Sequence, residues 1–196
     1  MPVPTLLLAL FLGVGLSASA GLNAFLPLLL LGAAARFHVV PGLALNGSFA
    51  WLTSDVALVV LIIASIIEIV ADKVPAVDHA LHAAGTVVRP LAATLAAASV
   101  LKGVDPAVAS VVGLIIGAPT SLGFHALKSG TRVASSATTL GCANPVISLV
   151  EDCISFAIAV LSILLPLAVP LILAVVAFAA WRLMRRTRQA ATPARI

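Results

Sequence analysis

Apolar residues fall in long blocks separated by short polar or proline-marked breaks, and each block reads as a helix. The first block runs from Thr5 to Ala35. As a single helix it would be roughly 45 Å long, against a bilayer core of ~30 Å. Its middle, SASAGLNAFLP, carries Ser17, Ser19, Gly21, Asn23 and Pro27. Small and polar residues followed by proline predict a broken segment, either two short membrane pieces or one long bent helix. A break at membrane depth is tolerated only where protein or water covers the freed backbone. Ala18-Ser19-Ala20 has the small-x-small look of a cleavage site. No Lys or Arg precedes the apolar run, however, and the run continues beyond the triplet, so it reads as a retained membrane segment.

Residues 37–54 read as a loop, with turn signals at Pro41-Gly42 and Asn46-Gly47 and with Trp51 as an interface anchor. Ser54-Asp55 predicts the start of a helix that reaches about Val74, where Pro75 ends it. A short amphipathic piece over 75–90 then leads into an Ala-rich span ending near Leu101. Asp105-Pro106 pairs an N-cap with proline at the first helical position, predicting a helix to about Lys128 with a kink at Pro119. The polar stretch 129–145 reads as a loop. Pro145 opens a helix through Leu164, Pro166 and Pro170 mark a turn, and a last helix covers about 170–185. HALHAAGTVVR at 79–89 and HALKSGTR at 125–132 are a candidate internal repeat, each following an apolar helix with a proline near its end. Gly113 and Gly117, four apart, fit close helix packing within the chain or between copies.

Composition names the solvent for these helices. Hydrophobic residues make up 62% of the 196 residues and charged residues 9%, where a soluble domain needs roughly a quarter charged. Mean hydropathy is +1.21. The expectation is an all-α, polytopic transmembrane bundle of about six spans. Residues 1–188 form a single transmembrane helical domain in this reading, and residues 189–196 a short basic tail. The excess behind the net charge of +4 gathers at the end of the last helix and in the tail, at Arg182, Arg185, Arg186, Arg188 and Arg195. A basic run after an apolar helix reads as a topology signal and a contact for anionic lipid, not as a nucleic-acid surface. With the tail in the cytoplasm, Lys73, Arg89, Lys128 and Arg132 also fall inside, leaving Arg36 and Lys102 outside.

The acidic residues carry the candidate chemistry. Glu68 lies ~18 Å along its helix from Val56, inside the hydrocarbon. Asp72 follows one turn on, beside Lys73, and Glu151 and Asp152 enter from the same side. An ionised carboxylate in lipid costs at least ~2.5–3.5 kcal/mol, so such groups pair, face the bundle interior or line a water-filled path. Partners of similar depth are Lys73, Arg89, Lys128, Arg132, His79, His82 and His125, and Asp78 and His82 share a helix face. Glu68, Asp72, Glu151, Asp152 and Asn23 are therefore the candidate ion- or substrate-binding residues. Their functional reading is a polar cavity open to the cytoplasm that takes a cation, a proton or a small anionic ligand. Their structural reading is ion pairs that lock the bundle. His79 and His82, three apart, are a weak metal signal. Cys142 and Cys153 lack CxxC spacing. HExxH and Walker motifs are absent, and GLSAS has no second glycine for a nucleophile elbow. No cofactor and no enzymatic activity are expected.

Three strings, GLNAFLPLLLLG, EIVADKVPAVDHALHAAGTVVRP and SLVEDCISF, resemble the signature stretches of a group of bacterial integral membrane proteins, domain of unknown function 4126. The resemblance covers the chain to about residue 165 and implies a compact polytopic protein of the bacterial inner membrane. It implies no activity. EIVADK also has a weaker likeness to the acidic E-x-G-D-K stretch of a cation/proton exchanger family, with one extra residue and no glycine. Taken together, the expected function is an ion or small-solute transporter of the inner membrane with its C-terminus cytoplasmic. The alternative is a non-transporting membrane protein that binds lipid or scaffolds a partner. Oligomerisation is open in either case.

Overall fold

The structure is a computed structural model that describes residues 3–190, except for the side chains of residues 4, 75–81, 180 and 183–190. Its regular elements are seven α-helices: α1 (Val3–Leu22), α2 (Leu26–Arg36), α3 (Asp55–Ala71), α4 (Pro75–Ser99), α5 (Pro106–Thr139), α6 (Asn144–Leu164) and α7 (Val169–Ala190). Short 3-10 turns occupy Gly47–Thr53 and Pro166–Ala168. Three helices are long and apolar enough to cross a bilayer, or four if the bent pair Gly47–Thr53 and Asp55–Ala71 counts as one span. Six spans are therefore more than length and composition support among the described residues. The Ser54 and Asp105 caps form as expected, Ser54 Oγ accepting from the Ala57 N–H and Asp105 Oδ1 from those of Ala107 and Val108.

The first block is broken at residues 23–25, and its two halves form a hairpin. Gly13, Ser17 and Gly21 of α1 run antiparallel along α4, meeting Ala97, Ala93 and Arg89 in turn. Gly32 of α2 lies against Leu52 and Leu58, while Ala24 at its start meets Glu68. Because α3 runs parallel to α1, α2 must run back toward the end from which α1 came. Thr5 and Leu8 accordingly share a cavity wall with residues 40–44 and with Val100, Lys102 and Gly103. We call this the Lys102 end and the opposite one the Lys73 end.

Two expected breaks do not occur. The amphipathic piece and the Ala-rich span form one helix, α4, through Pro90. Likewise α5 continues through Pro119 and on to Thr139, across most of the stretch expected to be a loop. The hydroxyls of Ser129, Thr131, Thr138 and Thr139 bond back to carbonyls three or four residues earlier, so the polar stretch satisfies itself as helix. Packing of α4 on α5 outweighs the ~3 kcal/mol cost of an internal proline. Gly113 and Gly117 permit that packing, since a Cβ there would meet Thr94 O at 2.6 Å and Ala93 O at 2.8 Å. The repeated strings do not occupy equivalent settings: the first begins a new helix after Pro75, while the second continues α5 beyond Pro119.

Polarity runs inside out. On α3 the buried stripe is Ala57, Leu58, Leu61, Ser65 and Glu68, whereas Val59, Val60, Ile62, Ile63, Ile66, Ile67 and Val70 are exposed. On α5 the buried stripe ends in Ser121, His125, Lys128, Arg132 and Ser135. Water would favour the reverse arrangement.

The hairpin depends on close backbone approach at Gly21, where an added methyl would collide with the Ser121 carbonyl and Phe124 Cβ. Gly21→Ala is expected to cost about 1–3 kcal/mol by overpacking. Gly123→Ala, which meets nothing within 4 Å, is expected to be neutral or stabilising by about 0.5–1 kcal/mol. Thermal melts of the two detergent-solubilised variants check the contrast, and equal melting temperatures would refute it.

Candidate functional site

The hairpin tip leaves backbone donors and acceptors without helical partners, and charged side chains from three other helices supply them. Both Glu68 oxygens face the Ala24 N–H, at 2.9 and 3.1 Å, and one also accepts from the Phe25 N–H at 3.4 Å. An acid at the N-terminal end of α2 also meets the positive end of its dipole. Arg89 donates to the Gly21 carbonyl at 3.1 Å, and Lys128 Nζ to the Leu22 carbonyl at 3.0 Å. Each freed end of the broken helix is thus covered by charge of the complementary sign. Asn23 accepts from the Leu26 N–H at 3.1 Å and donates to Asp152 Oδ1 at 3.3 Å.

These same side chains pair with one another. Arg89 is 3.3 Å from Glu68 and within 2.7 Å of His125 Nδ1. Lys128 pairs with Asp72 and lies 3.7 Å from Glu151. Arg132 is 3.2 Å from Glu151 and 3.8 Å from Asp72. Lys73 reaches Asp152 at 3.3 Å. Four carboxylates therefore face four cations, and only Lys73 among them is appreciably exposed. Relative exposure is 6% at Glu68, 2% at Arg89 and 1% at Lys128. Pairing at this burial is what allows the charges to leave water.

The structure thus brings together Asn23, Glu68, Asp72, Lys73, Arg89, His125, Lys128, Arg132, Glu151 and Asp152. His82 stands at the edge, its ring 4.8 Å from that of His125 and its Nε2 2.6 Å from Ser129 Oγ. The side chains of Asp78 and His79 lie outside the described residues, so the Asp78–His82 and His79–His82 pairs do too. Among the described residues no group of three His, Cys, Asp or Glu side chains is placed to hold a metal ion.

The freed backbone expected at the break is that of residues 21, 22, 24 and 25, which the charges cap. Sequence reasoning missed two side-chain participants, Thr131 and Ser155. Thr131 Oγ1 lies 3.0 Å from Glu151 Oε1, within hydrogen-bond reach. Ser155 of α6 exchanges hydrogen bonds with Ser19, each hydroxyl donating to the other's carbonyl at 2.8 and 3.0 Å. The four-residue spacing of Gly15, Ser19 and Asn23 was the available signal, because it sets all three on the face that meets Ser162, Ser155 and Asp152.

Fold and site define a class: an all-helical protein with several helices apolar enough to cross a bilayer, folded around a buried, charge-balanced centre at a helix break. Within that class, the chain matches a domain of unknown function, DUF4126, over residues 10–186, and belongs to that family. No curated protein and no solved structure matches it.

Proposed function

We propose that this chain is a multi-pass protein of the bacterial inner membrane that transports an ion or small solute through the charged centre at the α1–α2 break. The observation that carries this reading is the broken helix itself. Irregular backbone at such depth recurs where transporters bind their cargo, with half-helix ends facing the ligand. The membrane has six segments in this proposal, α1–α2 as a re-entrant pair and α3 to α7 as five crossings. The Lys73 end faces the cytoplasm, as does the Arg-rich end of α7, in keeping with the positive-inside rule.

Spare hydrogen-bonding capacity at the centre favours a ligand there. Ser65 Oγ, Asp72 Oδ1 and Arg89 Nε are buried without a partner among the described residues. A structure that used these groups only as a lock would be expected to satisfy them. Four acids already face four cations, so any cation or proton that enters the centre adds one positive charge and has to displace one of these pairings.

Proteoliposomes loaded with a pH-sensitive dye test the proposal. Gradients of sodium, potassium and small carboxylates are imposed in turn. At least one is expected to drive lumenal pH change above that of empty vesicles. Glu68→Gln and Glu151→Gln are each expected to slow it about tenfold or more, the loss of one charge-assisted contact. Full rates in both variants would refute the site. No flux under any gradient would favour the second reading, a non-transporting membrane protein that binds lipid or scaffolds a partner. The complete four-to-four pairing favours that alternative.

A further inference from the structure

A cavity of about 690 Å³ opens at the Lys102 end, remote from the charged centre. Its walls are Leu8 and Leu12 of α1, Leu43 of the loop, Val100 after α4 and Ile163 of α6. The volume is that of a small-molecule site, and such sites are apolar with a few placed polar groups. Here the one charged lining residue is Lys102, in the turn between α4 and α5.

The charges at this end explain why Lys102 stands out. Arg36 is bound to Asp55 at 2.7 Å. Asp105 is occupied in capping α5. Among the described residues Lys102 has no acidic partner, although it sits on the rim of an apolar hollow. An apolar volume with a single unpaired cation at its mouth complements a molecule of matching design, an alkyl chain ending in an acid group.

We infer that this cavity binds the chain of one anionic amphiphile, with its acid group at Lys102. A free fatty acid and an anionic phospholipid share that chemistry. The inference does not rest on transport through the charged centre.

The test uses the full chain in phosphatidylcholine nanodiscs, with empty nanodiscs subtracted. Radiolabelled palmitate is expected to bind saturably, one per chain, about fivefold more tightly than uncharged palmitoylglycerol, the effect of one basic group near an anionic head. Lys102→Gln, a change in an exposed turn, is expected to leave the melting temperature unaltered and remove that preference. Ala44→Trp, which places an indole in the cavity, is expected to abolish saturable binding of both probes. Phosphatidylglycerol added to the nanodiscs will compete with palmitate if phospholipid is the natural source, and will not if the free acid is. Equal affinity for the two probes would overturn the inference. So would palmitate binding unchanged in both variants.

Discussion

Arg89→Ala is expected to lower the melting temperature of the detergent-solubilised protein by roughly 10 °C, the result of losing about 3–5 kcal/mol. Arg89 is buried and serves three partners at once: the Glu68 carboxylate, the Gly21 carbonyl and His125. Its removal leaves an uncompensated carboxylate at the hairpin tip and an orphaned carbonyl at the end of α1. Arg89→Lys keeps the charge but not the guanidinium fork that spans these partners, so it should recover only part of the loss. Glu68→Gln should be milder than Arg89→Ala, because the amide oxygen can still accept from the Ala24 N–H. A melt of Arg89→Ala within 2–3 °C of wild type, about 1 kcal/mol, would mean that the tip does not depend on this pairing.

Lys128→Met is expected to be about as damaging, on the order of 3–5 kcal/mol. Lys128 joins Asp72, Glu151 and the Leu22 carbonyl, so it ties α3, α6 and the end of α1 to α5. Among the described residues its loss leaves the Asp72 carboxylate with only the longer ion pair to Arg132 at 3.8 Å. The informative variant is the double change Lys128→Met with Asp72→Asn. Removing the stranded charge should make it more stable than Lys128→Met alone, a non-additivity of about 1–3 kcal/mol for residues in contact. Strict additivity of the two single losses would show that Lys128 acts by packing its stem and not through its ammonium group.

How far the centre was legible can be judged residue by residue. Glu68, Asp72, Glu151 and Asp152 were identifiable because each lies a countable number of helical turns from a cap or proline, at similar depth and far from water. Their cations followed from the same count. Asn23 was identifiable because it stands in a polar interruption of an apolar block. The pairings were not identifiable. Which acid meets which base depends on the rotation of each helix about its axis and on which helices are neighbours. The helical state of residues 129–139 was also hidden, because Ser and Thr are usual in loops in water. Here their hydroxyls turn back onto their own helix.

The chain alone determined that helices form, where Ser54 and Asp105 begin two of them, that the first block breaks near Asn23, and that too little charge exists to coat the surface for water. Those features depend on local sterics and on summed transfer energies, which do not require a partner. Tertiary structure decided that α2 doubles back along α1, that α4 and α5 continue as helix past Pro90 and Pro119, and that Arg89 and Glu68 cap opposite sides of one break. Each of these depends on a surface supplied by a distant segment, such as Ala93 against Gly117 or Ser121 against Gly21, and no local window of sequence contains both sides of such a contact.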